Sequence, residues 1–151
     1  MTPKNILCLF GLGYLRHSAS FASLAAIPIY FLICAHEEHS TYINAALFLG
    51  ILLWSMTELR RVPQLARTDP KEIVVDEFLG MYCALMLSSI LYLPSMVLLL
   101  IIFRVIDRFK IFPFDIIEKK LRGPYGLLWD DMAIGASSGL LFNIVARFLF
   151  S

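Results

Sequence analysis

Six acidic residues fall into three short groups, and these groups carry the clearest sign of chemistry in the sequence. The six are Asp69, Asp76, Glu77, Asp107, Asp130 and Asp131. Carboxylates that lie close together repel one another and are stabilised when a cation neutralises them. Such hard oxygen ligands suit Mg²⁺, which binds carboxylates together with phosphate and water oxygens. The pattern predicts a divalent-metal site that handles a phosphate.

Basic residues near the second acidic group would complete a phosphate site. Arg104, Asp107 and Lys110 are spaced three residues apart, so neighbours in this series share one face of a helix. We expect Arg104 or Lys110 to hold phosphate oxygens while Asp107 faces the metal. A helix that begins near Asp131 would add the positive end of its dipole.

Each acidic group also has a simpler interpretation. Asp130 and Asp131 could cap a helix, and Asp76 with Glu77 could cap another. Arg104 and Asp107 could form an ordinary interfacial ion pair. Each of these interpretations explains one motif, but none explains why all three groups would lie on the same side of a membrane.

The rest of the chain predicts what must position these residues. Of 151 residues, 59% are hydrophobic and 17% are charged, against about 25% charged in soluble domains. Stretches without internal charge, apart from Arg147, are long enough to span a bilayer. They are 18–35, 40–57, 78–103 and 132–150, with a shorter apolar stretch at 5–15. We predict one domain over residues 1–151, an all-α integral membrane bundle of four to five hydrophobic helices.

The positions of Lys and Arg predict the topology. Most of them lie in segments 58–77 and 104–131, and the positive-inside rule places both segments in the cytoplasm. If so, the chain between them turns back within the membrane; the alternative, a straight single crossing, would separate the acidic groups. Leu93-Pro94 lies near the middle of that stretch, and proline is poorly tolerated inside a helix. We predict a helical hairpin with arms 78–92 and 95–107.

The sequence resembles the phosphatidylglycerophosphatase A family of small bacterial membrane lipid phosphatases, over residues 11 to 140. The order and spacing of its motifs are specific, although each motif alone is weak. The matching residues are Asp69-Pro70, Ile73-Val74, Asp76-Glu77, Gly80, Phe103-Arg104, Asp107, Lys110, Pro113, Gly126, Asp130-Asp131, Ala133 and Gly135.

The resemblance implies Mg²⁺-dependent hydrolysis of phosphatidylglycerophosphate to phosphatidylglycerol and phosphate, at the cytoplasmic face of a bacterial inner membrane. It implies a phospholipid substrate and a membrane as partners, and no nucleic acid. All six acids are then candidate metal ligands, and Arg104 and Lys110 candidate phosphate ligands. The catalytic candidates are Asp76, Asp107 and Asp131.

The chain departs from the family pattern near its N-terminus. The family has a stretch of the form Ala-Pro-Gly-Thr followed by Gly-Ser, whereas residues 16–24 here read Arg-His-Ser-Ala-Ser-Phe-Ala-Ser-Leu. Ile111 also replaces a proline that is common in the family. If the N-terminal loop contacts the substrate, these departures affect the choice of head group more than the chemistry.

Two alternatives remain open from the residues. A transporter or proton relay also uses membrane carboxylates, although the acids here lie at predicted helix ends and no internal repeat is visible. Within the phosphatase interpretation, either a water activated by Asp76 or Asp131 or a covalent aspartyl-phosphate could carry the reaction. A cytidine-activated-lipid phosphotransferase is disfavoured because the chain contains no Asp-Gly sequence.

Overall fold

The computed structural model describes residues 7–36, 38–61, 73–88, 92–109 and 126–150. Within these ranges the chain is entirely helical, which confirms the predicted all-α class. A 3₁₀-helix at Leu9–Tyr14 precedes five α-helices: α1 at Ser18–His36, α2 at Ser40–Arg61, α3 at Val75–Ser88, α4 at Leu93–Phe109 and α5 at Gly126–Phe150.

The uncharged stretches of the sequence coincide with these helices. α1 and α2 are each long and apolar enough to cross a membrane. Both expose large apolar side chains, such as Leu32 on α1 and Leu53 on α2. Extended exposed apolar surface of this kind is typical of a protein that contacts lipid. The fold is that of a helical membrane protein.

Helix α3 forms the centre of the bundle, because 10 of its 14 residues are buried. Tyr82 donates a short hydrogen bond to Asn44 Oδ1 on α2, and Asn44 Nδ2 lies 3.4 Å from Cys34 Sγ on α1. Polar groups inside an apolar bundle need such partners. This chain of contacts therefore fixes the positions of α1 and α2 against α3.

Glycines bring α3 and α5 into backbone contact. A side chain at Gly80 would come within 2.6 Å of the Asp131 carbonyl oxygen, and one at Gly139 within 2.6 Å of the Ala84 carbonyl oxygen. A side chain at Gly135 would overlap the Gly80 carbonyl group. Gly135 and Gly139 are four residues apart, the spacing by which small residues let membrane helices approach closely.

The same contacts show that α3 and α5 run parallel. Gly80 meets Gly135, Ala84 meets Gly139, and one turn later Asn143 Nδ2 donates a 2.8 Å hydrogen bond to the Leu87 carbonyl oxygen. The first turns of both helices therefore lie at the same end of the bundle.

α3 and α4 form the predicted hairpin, but the position of its turn differs from the prediction. α3 ends at Ser88 and α4 begins at Leu93, so Pro94 lies in the first turn of α4 instead of between the predicted arms 78–92 and 95–107. Proline is favoured there because the first turn of a helix needs no amide donor. Phe103 of α4 lies against Gly80 of α3, which makes the two helices antiparallel.

The segment before α1 packs on the bundle. Leu7 and Cys8 are buried, and the Val74 amide donates a 2.9 Å hydrogen bond to the Leu7 carbonyl oxygen. This bond holds the N-terminal residues beside the start of α3, where Asp76 and Glu77 lie.

Candidate metal and phosphate site

Three carboxylates from two helices meet at one end of the bundle. Asp76 and Glu77 lie in the first turn of α3, and Asp131 lies in the second turn of α5. Each offers one oxygen, and these oxygens all lie within 4.8 Å of one another. The close contact of Gly80 with the Asp131 carbonyl group holds the two helices at the separation that this cluster needs.

The cluster is buried and its acceptors are incompletely satisfied. Asp76 is 4% exposed and Asp131 is 7% exposed. Among the described residues, Asp76 Oδ1 and Glu77 Oε2 have no hydrogen-bond donor. A buried acceptor without a donor is costly unless a water or ion satisfies it. The chemistry of this donor set therefore fits a bound cation.

Burial and mutual repulsion raise the pKa values of these carboxyls. Loss of solvation, followed by the charges of Glu77 and then Asp131, raises the pKa of Asp76 well above its ordinary value. The pKa of Asp131 rises for the same reason, with the carboxylates of Asp107, Glu77 and Asp130 adding to the burial. These acids precede the uncharged parts of their helices, at the polar end of the bundle. A divalent cation would reverse these shifts.

Arg104 and Asp107 reach the same cluster from α4. Arg104 Nη1 donates to Asp107 Oδ2 at 3.0 Å, so the ion pair considered from the sequence does form. The pair is not isolated, however, because the Arg104 charge lowers the pKa of Glu77 and the Asp107 charge raises that of Asp131. The three acidic groups therefore meet, as the hairpin predicts.

A cavity of about 550 Å³ opens in front of Asp76 and Glu77. Arg104 and Arg108 of α4 line it from one side. The loop before α1 and the first turn of α1 line it from another side, with Arg16, His17, Ser18, Ala19 and Ser20. One cavity thus joins a carboxylate wall to three arginines, an arrangement suited to an anion held against a metal.

Comparison with known proteins identifies the family of the chain. The sequence model of the phosphatidylglycerophosphatase A family matches residues 5–146. The chain belongs to this family. Phosphatidylglycerophosphatase A of Escherichia coli (strain K12) is 28% identical over 128 residues, which cover 83% of this chain and 72% of that protein. No solved structure matches the chain.

Membership of the phosphatidylglycerophosphatase A family makes the chain a phosphoric monoester hydrolase. Two carboxylates of the cluster, Asp76 and Glu77, line the cavity, and all three lie near the starts of α3 and α5. A proton relay would need acids further along its helices, within the span.

Two details of this phosphatidylglycerophosphatase A-family site differ from the sequence prediction. α5 begins at Gly126, about one turn before Asp131, so neither Asp130 nor Asp131 caps the helix and no helix N-terminus lies at Asp131. It is α1 that begins at the cavity, since Ser18 is both its first residue and part of the lining.

Sequence reasoning missed three cavity residues, Arg16, His17 and Arg108. Arg108 is four residues after Arg104, so the same helix face presents both. Arg16 and His17 lie where the chain departs from the family pattern. That departure was the sequence feature that could have marked them as candidate site residues. His17 adopts a left-handed conformation, with φ of 66°, where the chain turns into α1.

Of the remaining predicted site residues, the structure describes Asp130 but neither Asp69 nor Lys110. Asp130 is buried beside Asp131, and its charge raises the pKa of Asp131. Asp69, a predicted metal ligand, and Lys110, a predicted phosphate ligand, lie outside the described residues, as does Ile111.

Proposed function

We propose that this chain is a Mg²⁺-dependent lipid phosphatase that hydrolyses phosphatidylglycerophosphate to phosphatidylglycerol and inorganic phosphate. The observation that carries the proposal is the cluster of Asp76, Glu77 and Asp131. Two of its members, Asp76 and Glu77, line a cavity that Arg104 and Arg108 also line. The phosphate monoester of the substrate would lie between the arginines and the metal held by the acids.

Asp76, Glu77 and Asp131 are the residues that would hold the metal, with Asp107 and Asp130 close by and Asp69 as a further predicted ligand. Mg²⁺ is favoured over a softer metal because every ligand is a hard oxygen and no His or Cys joins the described cluster. When bound, Mg²⁺ supplies charge neutralisation at the phosphate and a more acidic water.

The arginines of α4 would bind the phosphate and orient it. Arg104 Nη1 is already aligned by Asp107, which limits the side-chain freedom lost when phosphate binds. Arg108 lies one turn further on the same face, and we retain Lys110 as the third cation of this series. Holding the phosphate on this face directs the phosphorus atom at the carboxylates.

The attacking group would be a water molecule in front of the carboxylates. One carboxylate of the Asp76–Asp131 pair would accept its proton as the bond to phosphorus forms. The phosphate ester bond then breaks, the proton taken from the water passes to the leaving oxygen, and the lipid alcohol and inorganic phosphate are released.

The site is proposed to face the cytoplasm of a bacterial inner membrane that the chain crosses several times. α2 ends in Arg60 and Arg61, and α4 carries Arg104 and Arg108 near its end. With α1, α3 and α5 all starting from the cavity end, the cations of these segments fall on one side.

The test is phosphate release from phosphatidylglycerophosphate by purified protein in detergent, with Mg²⁺ and then with excess chelator. We expect release that requires the metal and is lost in Asp76→Asn. Glu38→Gln is the matched control, because Glu38 is exposed in the connection between α1 and α2, far from the cavity.

Release that persists in chelator would remove the metal from the proposal. Absence of release by folded protein, from this lipid but not from another phosphorylated lipid, would change the substrate. Absence of release from every lipid phosphate monoester would contradict the proposed function.

A further inference from the structure

A second, apolar cavity lies between α1 and α4, next to the polar cavity. It has a volume of about 700 Å³ and is lined by apolar side chains. On α1 these are Phe21, Leu24, Ala25, Ile27, Pro28, Phe31 and Leu32, joined by Leu12 of the 3₁₀-helix and by Leu93 and Val97 of α4. We call this cavity the α1–α4 groove.

The groove and the polar cavity are adjacent, and we refer to the two together as the cleft. Leu12 lines the groove and the next residue, Gly13, lines the polar cavity. Ser20 lines the polar cavity and the next residue, Phe21, lines the groove. The two spaces therefore meet along both the 3₁₀-helix and the start of α1.

The α4 side of the cleft shows the same continuity. Leu93 and Val97 line the groove, and Arg104 and Arg108 line the polar cavity. Their spacings of four, seven and four residues place all four on one helix face. That face is apolar at the start of α4 and cationic at its end, so the cleft changes from apolar to anion-binding along its length.

A cleft with this polarity fits a molecule that has an anionic head and a long apolar tail. The groove follows α1 from Phe21 to Leu32, a distance of about 17 Å at 1.5 Å per residue. That length is more than half the thickness of the hydrocarbon core of a bilayer, which is about 30 Å. A single extended fatty acyl chain has the required length and shape.

We infer that the α1–α4 groove binds one acyl chain of the lipid whose phosphate occupies the polar cavity. This inference rests on the proposed function for the nature of the head group. The groove aligns the lipid so that its phosphate meets Arg104 and the carboxylates, and chain length thereby affects how well the substrate binds. The enzyme would then distinguish a long-chain lipid from a short-chain analogue with the same head group.

The test fills the groove and leaves the polar cavity unchanged. Val97→Trp places an indole in the groove, and Val145→Trp on α5 is the matched control. Both valines are 42% exposed, and Val145 lines neither cavity. Phosphate release is measured with phosphatidylglycerophosphate bearing two C18 chains and with the same lipid bearing two C6 chains.

We expect Val97→Trp to raise KM for the C18 lipid about tenfold, because less of the acyl chain is buried in the groove. The kcat for this lipid, and both constants for the C6 lipid, should change little. Val145→Trp should leave both substrates unaffected. Equal effects of the two variants, or an equal loss on both lipids with Val97→Trp, would overturn the inference. Leu24→Trp, at an exposed position on the α1 side, repeats the test should Val97→Trp fail to fold.

A binding measurement separates this inference from the proposed function. Native mass spectrometry in chelator counts C18 phosphatidylglycerophosphate retained by the wild type and by each valine variant. If the wild type releases no phosphate, the proposed function fails, while selective loss of retained lipid in Val97→Trp still supports the groove. Equal retention by all three proteins would refute the groove assignment.

Discussion

The α3–α5 contact and the α1–α4 cleft are opposite solutions to helix packing in one small bundle. α3 and α5 touch through backbone atoms at Gly80, Gly135 and Gly139. α1 and α4 instead leave a polar cavity of about 550 Å³ that continues into an apolar groove of about 700 Å³. The carboxylates come from the closed contact, and the arginines line the open cleft.

This difference indicates that the two regions have different roles. Metal ligands must keep fixed separations, and helices in backbone contact have little freedom to shift. A lipid must enter and leave, which requires a space that protein side chains do not fill. Asp76 and Glu77 belong to both regions, because they start α3 and also line the polar cavity. The proposed function therefore places the reaction where the two regions meet.

The largest effect is expected when the closed contact loses a metal ligand. Asp131→Asn should lower kcat by at least about a thousandfold, equivalent to roughly 4 kcal/mol of transition-state stabilisation. Without metal the variant should be as stable as the wild type or more stable, because a buried charge and its repulsion are removed. Phosphate release and thermal unfolding in detergent measure the two quantities.

Lost activity together with unchanged or increased stability distinguishes a metal ligand from a residue that is needed for folding. A variant that loses activity and also melts well below the wild type in chelator would indicate that Asp131 is needed for folding. Full activity with normal stability would exclude Asp131 from the site.

The next effect concerns the backbone contact itself. Gly135→Ala adds a methyl group that overlaps the Gly80 carbonyl group, so α3 and α5 must separate. We expect a loss of about 1–3 kcal/mol in unfolding free energy, as for overpacked cores, with a fall in activity.

Gly50→Ala is the control, since a methyl group at Gly50 meets nothing within 4 Å. It should be neutral or slightly stabilising, because alanine favours a helix more than glycine does. Equal melting temperatures for the two variants would contradict the proposed importance of the contact.

A smaller effect is expected in the open cleft. Arg104→Gln should raise KM for the lipid roughly tenfold to a hundredfold, the range for a lost hydrogen bond to a charged group. Arg147→Gln, near the far end of α5, should have no such effect. A fall in kcat at unchanged KM would instead show that Arg104 acts only after the substrate has bound.

The smallest effect is on the pH dependence of stability in chelator. The folded-state pKa values of Asp76 and Asp131 are raised, so the unfolded chain loses these protons first as the pH rises. Stability should therefore fall as the pH rises from about 4, the ordinary pKa range of a carboxyl group, through the raised pKa values of the folded state. Mg²⁺ should restore it most at the higher pH, and Asp131→Asn should flatten the dependence. A melting temperature independent of pH in chelator would contradict the buried cluster.

Much of the fold followed from charge and hydropathy. The stretches 18–35 and 40–57 became α1 and α2, and the need to return both basic segments to one side required the α3–α4 hairpin. The helix limits were less predictable. The sequence predicted a turn at Leu93-Pro94 and a helix start near Asp131, whereas the helices begin at Leu93 and Gly126. Both predictions were wrong because tertiary packing decides where a helix terminus is satisfied.

The sequence by itself determined the chemical class of the site, because carboxylates and arginines at the ends of apolar stretches have few stable uses near a membrane. It also determined which end of each helix carries the polar groups. Only the tertiary structure decided that Asp76, Glu77 and Asp131 form the tightest trio, and that Arg16 and His17 join Arg104 at one cavity. Those facts depend on how closely separate helices approach, and the contacts that set this distance join residues far apart in the chain, such as Gly80 and Gly135.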